Sequence, residues 1–544
     1  MPTITYDKAD LLKLIGGNVT EKALIKALED MKPGIEEING NELVVEMTPE
    51  RPDLFGIEGF ARAVRSYLGI SPGLEKFAIE PSGVEIKVDN VPIRPFVASA
   101  IIKGVTLNGA MIKSLMQIQE ILHDTIGKKR EYAAIGIHDY DKIVPPIRYA
   151  QVDKSTKMIP LGYNEELMLY EVLANTQKGA SYGHLINGSE QYPVFMDYKG
   201  IFSLPPILNS SRTAVTEATR NLFIDLTGTT ELSVQTALSV LVTNMAERGC
   251  RICSVKLKHE KKTEVMPVLA ESKMEIGLEY VKRAIGADLD MKTAESSLRK
   301  MGYGTKAVGD IIMVTIPPYR SDILHKVDLL EDIVIGYGLN RIVPVPTNIS
   351  TNGALERVEA RSDKVREIAV GMGFQEIMRP VLSSTDMQFN LMNHKKGPAV
   401  EISNPISSEY ACARCWLMPS SMEFLKANTN QEHPQRIFEI GDAVVVDESE
   451  ETCTKTLRKL SMTVSDSGTG FFEIKGVFES LMACMNVPYE LRTSDDASFI
   501  RGRAAEVLVK GKGVGLFGEL HPQVLENWGL AIPTVSLELN IEAL

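Results

Sequence analysis

The sequence is poor in cysteine, in long apolar runs and in positive charge, and each shortage argues against a class of protein. Six cysteines in 544 residues are too few for a disulfide framework and fit a reducing cytosol. No apolar run approaches the length of a membrane span, and the first residues show no secretory signal, so we expect a cytoplasmic protein with no membrane contact. The formal charge of −12 argues against a free-standing nucleic-acid binder, so a partner is expected to supply positive surface.

Four of the cysteines form two C-x-x-C pairs, Cys250 with Cys253 and Cys412 with Cys415. Zinc sites of this kind usually place the two pairs about 15 to 20 residues apart, and far more chain separates these. The alternating apolar residues around the first pair indicate a strand. We therefore predict buried thiols, with a zinc site as the alternative.

The length predicts three or four domains, and a repeated order of elements marks two of them. Residues 1–70 predict two helices, a hairpin and a third helix. Asp7 and Thr20 are typical N-caps for the first two helices. Asn39-Gly40 lies between two alternating runs, which is a strong hairpin signal. The third helix is predicted to end near Gly69.

The same order returns about 270 residues later, at a shift of 269. Two helices broken at Gly286 precede a strand in "DIIMVTIP" and a last helix in "PYRSDILHKVDLLEDIVIGYGL". Three residues match across the shift, namely Pro49 with Pro318, Arg51 with Arg320, and Asp53 with Asp322. We predict two small α+β units of one plan, a duplication too widely spaced for a solenoid.

The last helix of the second unit carries Asp328, Glu331 and Asp332 at positions i, i+3 and i+4, so their carboxylates share one face. At the same shift the first unit has Gly59, Arg62 and Ala63, so the fold does not require acids there. Like charges on one face repel unless a cation or a basic partner neutralises them. A Mg²⁺ site and an ordinary solvated face are both open alternatives. Asp322 precedes the helix and is most simply an N-cap.

These residues, with P-x-x-R-x-D followed by D-x-x-E-[DE], resemble the B5 domain of phenylalanyl-tRNA synthetase β subunits. "TPERPDLFGIEGFARAVRSYLG" resembles the N-terminal, B1-like domain of that family. "EYAAIGIHDYDKIVPPIRY" and "IFSLPPILNSSRTAVTEATRNLFIDLTGT" resemble its B3/B4 domain. "NPISSEYACARCWLMPSSMEFLKAN", "QRIFEIGDAVV" and "GLFGELHPQVLENWGL" resemble its catalytic-like module. Their order and the chain length fit the archaeal and eukaryotic type.

The resemblance implies a multidomain α+β fold. Its parts are two duplicated small helical α+β units, a B3/B4 editing domain and a degenerate class II synthetase-like module with an antiparallel sheet. We expect domains at residues 1–85 (B1-like), 86–265 (B3/B4-like), 266–345 (B5-like) and 346–544 (catalytic-like). In the family Mg²⁺ lies at the contact between α and β subunits. Carried over, its ligands would be Asp322, Asp328, Glu331 and Asp332.

The resemblance also implies the function of a phenylalanine–tRNA ligase subunit in an α₂β₂ heterotetramer. The α subunit would make Phe-tRNA(Phe) from ATP, while this chain would supply assembly, tRNA(Phe) contacts and hydrolytic editing of Tyr-tRNA(Phe). Editing has a physical reason, because a largely apolar pocket rejects an isostere with one added hydroxyl by only about 10²-fold. A second, hydrolytic site would restore fidelity.

Two segments of the central domain are candidate walls of the editing pocket. "FSLPPILNSS" and "DLTGTT" combine a fixed Pro-Pro backbone, polar side chains and a glycine that lets the backbone approach a ligand. By themselves they are also typical of a proline turn and a polar loop. The predicted pocket residues are Leu204, Pro205, Pro206, Asn209, Ser210, Ser211, Asp225, Thr227, Gly228 and Thr229.

No Ser-His-acid arrangement is readable in the central domain. His138 and Asp139 are adjacent in the chain, which is not a relay geometry, and a structural role in a loop stays open for His138. We therefore predict hydrolysis by a positioned water, with polar groups holding the substrate and no assigned catalytic residue.

The C-terminal module is predicted to catalyse no adenylation. Active class II sites use arginines to clamp ATP phosphates, and the glycine-rich stretch "GVGLFGELHPQVL" ends without one. "QRIFEIGDAVV" keeps a strand-like frame with Glu439 and Gly441, and Arg414 and Arg501 are left for structure or tRNA contact. For the whole chain, a stand-alone deacylase and a helical DNA-binding regulator are the alternative functions. The acidic total and the missing basic recognition helix count against the regulator.

Overall fold

A computed structural model describes residues 2–544, and the chain divides into two compact units, Met1–Pro346 and Thr347–Leu544. The first unit contains the two repeats and the central domain between them. The second unit is built on one large, mainly antiparallel sheet with helices on both faces, and only the first, two-residue strand of that sheet pairs in parallel. Both helices and sheets are present throughout, so the predicted multidomain α+β class is confirmed.

The N-terminal repeat is a three-stranded antiparallel sheet covered by three helices. Its strands are β1 (Thr3–Asp7), β2 (Gly34–Asn39) and β3 (Glu42–Glu46), and its helices are α1 (Lys8–Ile15), α2 (Glu21–Asp30) and α3 (Ile57–Tyr67). The predicted caps are confirmed, because the Asp7 carboxylate accepts from the N–H of Asp10 and the Thr20 hydroxyl oxygen from that of Ala23. The Asn39-Gly40 turn joins β2 to β3 as predicted.

The central domain is a ten-stranded sheet whose middle strands are buried on both faces. Along its edge-to-edge path the order is β12-β11-β10-β7-β4-β14-β5-β13-β6, and β15 pairs with β14. The ten strands are β4 (Ile79–Val88), β5 (Phe96–Lys103), β6 (Ala134–Asp139), β7 (Ile147–Asp153), β10 (Gln191–Asp197), β11 (Gly200–Leu204), β12 (Leu208–Asn209), β13 (Asn221–Gly228), β14 (Arg251–Lys258) and β15 (Thr263–Met266). Two short strands, β8 (Lys157–Met158) and β9 (Leu167–Met168), pair with each other in a separate sheet. The helices are α4 (Gly109–Asp124), α5 (Leu169–Asn175), α6 (Gln177–Tyr182) and α7 (Glu231–Ala246).

The second repeat has the same element order as the first, so the predicted duplication is confirmed. Its strands are β16 (Ser272–Gly277), β17 (Gly304–Val308) and β18 (Ile311–Ile316), and its helices are α8 (Leu278–Ile285), α9 (Met291–Lys300) and α10 (Lys326–Tyr337). Gly286 ends α8 in the left-handed conformation, as the sequence predicted. Each repeat also begins with a strand, β1 or β16, that the sequence analysis missed.

The C-terminal unit packs a seven-stranded sheet, in the order β19-β22-β23-β27-β26-β25-β24, between two pairs of helices. The seven strands are β19 (Gln375–Glu376), β22 (Gln435–Val446), β23 (Thr454–Ser465), β24 (Glu490–Thr493), β25 (Phe499–Val509), β26 (Lys512–Leu520) and β27 (Thr534–Asn540). Two further strands of the unit, β20 (Leu382–Ser383) and β21 (Cys412–Ala413), pair with each other in a separate sheet. Its helices are α11 (Arg357–Gly371), α12 (Thr385–Gln388), α13 (Met418–Ala427), α14 (Phe471–Met485) and α15 (Pro522–Trp528). Helices α11 and α14 cover one face, while α13 and α15 cover the other.

None of the helices between residues 2 and 544 combines the length and the apolar character that a bilayer crossing requires. The paired cysteines are buried at Cys250, Cys253 and Cys412 and half-buried at Cys415, which agrees with the prediction of buried thiols. Cys253 lies on β14, as the alternating sequence indicated.

Candidate functional site

A cavity of about 230 Å³ opens beside strands β6, β11 and β13 in the central domain. At about 30 Å³ per liquid water it has room for roughly eight waters, which is the scale of one amino-acid side chain. Apolar side chains and proline rings make most of its wall, and a few polar groups interrupt it. The polar lining residues are Gln119, Glu120, Arg130, Lys178, Ser203, Asn209, Thr213 and Asp225.

Half of the predicted pocket residues line this cavity. They are Leu204, Pro205, Pro206, Asn209 and Asp225. The segment from residue 204 to 209 leaves β11 and returns in β12, so that it forms one continuous wall. The Asn209 amide donates from Nδ2 to the Ile137 carbonyl oxygen at 3.3 Å, which ties this wall to β6.

The other five predicted residues lie outside the lining and stabilise the loops around it. Ser210 accepts from the N–H of Arg212. Ser211 donates to the Pro160 carbonyl oxygen at 2.7 Å. The buried guanidinium of Arg94 donates to the hydroxyl and carbonyl oxygens of Thr227. The Thr229 hydroxyl donates to the Glu131 carbonyl oxygen. At Gly228 a Cβ would come within 2.0 Å of the Tyr132 carbonyl oxygen, so close backbone packing explains this glycine.

Arg130 holds the proline wall in place, and the sequence offered no sign of it. Its Nη1 donates to the carbonyl oxygens of Pro206 at 3.0 Å and Ile207 at 2.9 Å. Its Nη2 donates to Glu120 at 2.8 Å, and the guanidinium lies 4.5 Å from the Tyr182 ring centroid. Arg130 is the last of three consecutive residues with positive φ, 128–130. Residues other than glycine rarely adopt this conformation, so the surrounding contacts must stabilise it.

Asp225, His138 and Thr213 form one buried hydrogen-bonded chain beside the cavity. Asp225 Oδ2 lies 2.7 Å from His138 Nε2, and Thr213 Oγ1 lies 2.8 Å from His138 Nδ1. His138 is fully buried on β6, with Phe202 edge-on to its ring, so the loop position left open for it is wrong. The sequence did not reveal this series of hydrogen bonds, in which His138 lies between the Asp225 carboxylate and the Thr213 hydroxyl.

Strand pairing explains how these groups meet. Asp225 on β13 lies opposite Gly136 on β6, and His138 is two residues further along the same face. A Cβ at Gly136 would come within 2.5 Å of Asp225 Oδ2, so only glycine leaves room for the carboxylate. The alternation of Gly136 and His138 in "AAIGIHD" was the one sequence signal available, but it has meaning only once the partner strand is known.

The four acids of the second repeat also meet at one cavity, of about 160 Å³, between α10 and the first repeat. Asp322 forms a two-point ion pair with Arg320, at 2.8 and 2.7 Å. Asp332 accepts from Arg320 at 2.6 Å and from the Tyr303 hydroxyl. Burial by itself would raise the pKa of Asp322, but the Arg320 charge and its hydrogen bonds hold that pKa below its usual value.

The remaining two acids have other partners. Asp328 Oδ2 accepts from the N–H groups of Leu324 at 2.8 Å and His325 at 2.7 Å, which caps the start of α10. Glu331 lies 2.7 Å from the ammonium group of Lys32, which belongs to the first repeat. The acids therefore face basic and backbone donors, and the alternative of a purely solvated face is wrong for the buried Asp332.

The prediction that Asp322 caps α10 is wrong. The N-cap residue is His325, and Asp328 supplies the carboxylate that receives the free N–H groups. Asp322 pairs with Arg320 in the same way that Asp53 pairs with Arg51 in the first repeat. The matched residues of the duplication therefore form the same ion pair in both repeats, an arginine with the aspartate two residues after it.

The donor set at this cavity suits a hard divalent cation in chemistry and in charge. Five carboxylates and three basic side chains line the cavity, which leaves an excess of two negative charges. Oδ1 of Asp328 and Oδ1 of Asp332 take no hydrogen bond from residues 2–544. Within residues 2–544, no group of three Asp, Glu, His or Cys side chains is already arranged as the ligands of a metal ion. Glu331 would have to leave Lys32 to join such a set.

A third cavity, of about 270 Å³, lies between the two repeats. Arg65 donates to Glu247 at 2.8 Å and to Glu75 at 3.5 Å. Arg62 also donates to Glu247 and lies over the Tyr319 ring. Burial, together with the charge and hydrogen bond of Glu247, raises the pKa of Glu75 to about 7 from 4.5.

Stability is expected to depend on pH through Glu75. Because the folded chain binds this proton more tightly than the unfolded chain, the free energy of unfolding should fall as pH rises from about 4.5 to about 7. Glu75 is partly exposed, so solvent screening reduces the expected change to about 1 kcal/mol. Glu75→Gln should flatten this part of a curve of melting temperature against pH. A wild-type curve with no downward slope in this window would contradict the assignment.

Three known domain families match successive segments of the chain. Residues 108–266 match the family described as "B3/4 domain", and residues 274–339 match "tRNA synthetase B5 domain". Residues 343–541 match "Phenylalanyl tRNA synthetase beta chain CLM domain". The first cavity therefore lies in the B3/4 match, and the acids of α10 lie in the B5 match.

Whole-chain relatives cover the sequence from end to end. The chain is 38% identical over 554 residues to the phenylalanine–tRNA ligase beta subunit of Pyrococcus furiosus, covering 100% of both chains. It is 38% identical over 549 residues to the beta subunit of Methanocaldococcus jannaschii, again covering 100% of both. A crystal structure of an N-terminal fragment of the Pyrococcus horikoshii beta subunit matches 62% of this chain and 99% of the fragment, with TM-score 0.60 and 36% identity.

Proposed function

This chain belongs to the family of phenylalanine–tRNA ligase beta subunits, and from that premise we propose that it edits mischarged tRNA and builds the enzyme with an α subunit. In the proposed complex, an α₂β₂ heterotetramer of the cytoplasm, the α subunit attaches phenylalanine to tRNA(Phe) using ATP. This chain holds tRNA(Phe) and hydrolyses Tyr-tRNA(Phe). The single observation that carries the proposal is the end-to-end similarity to beta subunits, and a mainly apolar cavity with a few polar groups in the B3/4 match supports it.

The proposed hydrolysis uses a water molecule that attacks the ester carbon between the aminoacyl group and tRNA. The bond from that carbon to the tRNA oxygen breaks, and tyrosine and free tRNA leave. The cavity contributes by binding the aminoacyl group and orienting it for a held water. Arg130 and the proline wall give it a fixed shape, and Asn209 and Asp225 provide polar contacts.

The test is deacylation of Tyr-tRNA(Phe) by the purified chain, alone and with its α subunit. We expect hydrolysis by the complex and formation of a stable complex on gel filtration. Full activity with no association between the chains would favour the stand-alone deacylase instead. No hydrolysis in either case would contradict the editing proposal.

We propose that the C-terminal unit is a degenerate class II synthetase-like module without adenylation activity. Two observations support this reading. Two buried carboxylates of the sheet already have partners within this unit: Glu439 pairs with the buried Arg414 at 2.7 Å, and Glu538 accepts from the N–H groups of Leu417 and Met418. Arg414 is thus committed to structure, while the Arg501 side chain is 90% exposed and contacts Asp495 at 3.4 Å, where an outside partner can still reach it.

Purified alone, the chain should therefore show no phenylalanine-dependent exchange of pyrophosphate into ATP. The α subunit added back should restore exchange, which serves as the positive control. Exchange by the chain by itself, above a sample without phenylalanine, would refute a degenerate module.

We propose that Mg²⁺ binds at the acidic cavity of the second repeat, where Asp322, Asp328, Glu331 and Asp332 would hold it. A bound cation would neutralise the excess negative charge and join these carboxylates to groups of the α subunit. Lys32 would then be released from Glu331. The charge balance and the uncommitted oxygens of Asp328 and Asp332 support this assignment.

Glu331→Ala should weaken association with the α subunit by about tenfold in Mg²⁺, since a supporting ligand is lost. With EDTA the variant and the wild type should associate equally. Asp310→Asn, an exposed acid of the same repeat, is the matched control and should behave as the wild type in both buffers. Equal association of Glu331→Ala and wild type in Mg²⁺, measured by calorimetry, would remove Glu331 from the ligand set.

A further inference from the structure

The third cavity is the counterpart of the acidic cavity under the internal duplication. The acidic cavity lies between α10 and the turn that follows α2, and the third cavity lies between α3 and the turn that follows α9. Lys32 and Gly302 hold the same place in these two turns, with φ of 81° and 86°. The shift there is 270, because a bulge in β2 adds one residue to the first hairpin. The duplication has therefore produced two cavities of one plan.

The two cavities carry opposite net charge. At three equivalent lining positions an acid of the acidic cavity is replaced by a basic or neutral residue, the pairs being Glu331 with Arg62, Asp332 with Ala63 and Glu50 with Tyr319. Three arginines and two carboxylates line the third cavity, which gives it an excess of one positive charge. We name it the arginine cavity after Arg51, Arg62 and Arg65. Because the sign of the charge is reversed, the ligand that suits it is an anion.

Two of these guanidinium groups keep N–H donors that the chain does not use. Arg51 donates through Nε and Nη2 to Asp53, at 2.9 and 2.8 Å, and its Nη1 makes no hydrogen bond with residues 2–544. Nη2 of Arg62 is buried and likewise has no acceptor in that part of the chain. The Tyr319 ring stacks on the Arg62 guanidinium, with 3.8 Å between Cζ and the ring centroid, which leaves the guanidinium edge for an acceptor. Buried donors without acceptors are costly, so the cavity lacks a group that accepts.

A tetrahedral oxyanion fits both the space and the donors. At about 30 Å³ per liquid water, a cavity of about 270 Å³ holds roughly nine waters, which is enough for such an ion and the waters around it. Arginine N–H groups bind phosphate oxygens through short, charge-assisted hydrogen bonds. Arg51 and Arg62 are only 9% and 4% exposed, so a free ion reaches them and the backbone of a nucleic acid does not.

Two carboxylates already offset part of the positive charge. Glu247 accepts from Arg62 at 3.3 Å and from Arg65 at 2.8 Å, and Glu75 accepts from Arg65 at 3.5 Å. With Glu247 counted, the three guanidinium groups are balanced while Glu75 is ionised. Burial, together with Glu247, raises the pKa of Glu75 to about 7, so a proton on Glu75 restores the positive excess near neutral pH. The other titratable groups that line the cavity are Asp53 and Tyr319.

We propose that the arginine cavity is a binding site for inorganic phosphate or an oxyanion of the same shape, held between Arg51 and Arg62. The bound ion supplies acceptors for Arg51 Nη1 and Arg62 Nη2, and Glu75 takes up a proton as the ion enters. The site joins the two repeats with a charge opposite to that of the acidic cavity. It is separate from editing and from the proposed Mg²⁺ site, so its test is independent of both.

Equilibrium dialysis of the full chain against radiolabelled phosphate, at constant ionic strength, tests the site. EDTA in the buffer excludes phosphate held through Mg²⁺ at the acidic cavity. Ala63→Asp introduces the carboxylate that Asp332 supplies at the equivalent position and should weaken phosphate binding by at least about tenfold, the value of one hydrogen bond to a charged group. Ala63→Asn has nearly the same shape without the charge and should bind within about threefold of the wild type. Melting temperatures check that both variants are folded.

Three results would overturn the phosphate site. The first is no saturable binding of one phosphate per wild-type chain. The second is an equal loss of binding in Ala63→Asp and Ala63→Asn, which would show that bulk and not charge decides. The third is displacement of the bound phosphate by tRNA(Phe), which would assign the arginines to a nucleic-acid backbone.

Glu75→Gln tests the uptake of the proton and does not alter Ala63. The ratio of variant to wild-type affinity at each pH cancels the titration of phosphate itself. At pH about 8.5 the wild type must first protonate Glu75, so the variant should bind about tenfold more tightly. At pH about 5.5 Glu75 is already protonated, and the two affinities should agree within about twofold. The same ratio at both pH values would overturn the coupling to Glu75, and weaker binding by the variant at both would overturn the phosphate site.

Discussion

Asp225→Ala is expected to lower deacylation of Tyr-tRNA(Phe) by the α and β complex by about 10²-fold or more, the typical cost of removing a preorganised charged group from a reacting site. The synthesis of Phe-tRNA(Phe) should be unchanged within about twofold, because the proposed synthetic site is on the other subunit. Parallel measurement of both activities on one preparation separates loss of editing from loss of assembly. A variant that misincorporates tyrosine while charging phenylalanine normally is the expected outcome.

A matched control lies directly across the sheet. Ser99 on β5 pairs with Asp225 in register, is fully buried, and donates its hydroxyl to the Ile224 carbonyl oxygen at 2.8 Å, but it does not line the cavity. Ser99→Ala removes a buried polar contact between the neighbouring strand and β13 and should leave deacylation near the wild-type rate. If Ser99→Ala loses as much activity as Asp225→Ala, the effect comes from the sheet and Asp225 has no special part.

Arg320→Met is expected to destabilise the second repeat by about 3–5 kcal/mol, the usual cost of removing one partner from a buried ion pair. Arg320 is almost fully buried and joins Asp322 and Asp332, so the variant leaves two carboxylates without their cation. Asp332 keeps only the Tyr303 hydroxyl. Amide hydrogen exchange is the suitable measurement, because the chain has several domains and a single unfolding midpoint would mix them. Exchange in α9 and α10 should accelerate most.

The first repeat supplies the comparison. Arg51 pairs with Asp53 alone, so Arg51→Met leaves one carboxylate unpaired and should have a smaller effect, confined to α3. Arg492→Met, which breaks an exposed pair with Glu506, should cause no measurable change. Protection in α10 that is unaffected by Arg320→Met would mean that the buried pair contributes nothing to the repeat.

Sequence reasoning succeeded where the deciding contacts are local. Asp7 and Thr20 cap their helices through N–H groups three residues away, and Gly286 ends a helix through its own backbone angle. The duplication was readable because the shift of 269 preserves these local signals. The strands that begin each repeat were missed for the opposite reason. β1 pairs with β3, which lies some forty residues further on, and five residues carry no periodicity strong enough to predict it.

The sequence by itself determined that Asp328, Glu331 and Asp332 share a helix face, since helix geometry places i, i+3 and i+4 together. It also determined that the backbone at Pro205-Pro206 is restricted, since proline limits its own φ, but it left a pocket wall and a proline turn as alternatives. Only the tertiary structure decided that Lys32 and Arg320 face those acids and that His138 meets Asp225 and Thr213. These contacts join residues from separate strands and separate repeats, so they depend on strand order and register, which no local pattern in a chain encodes.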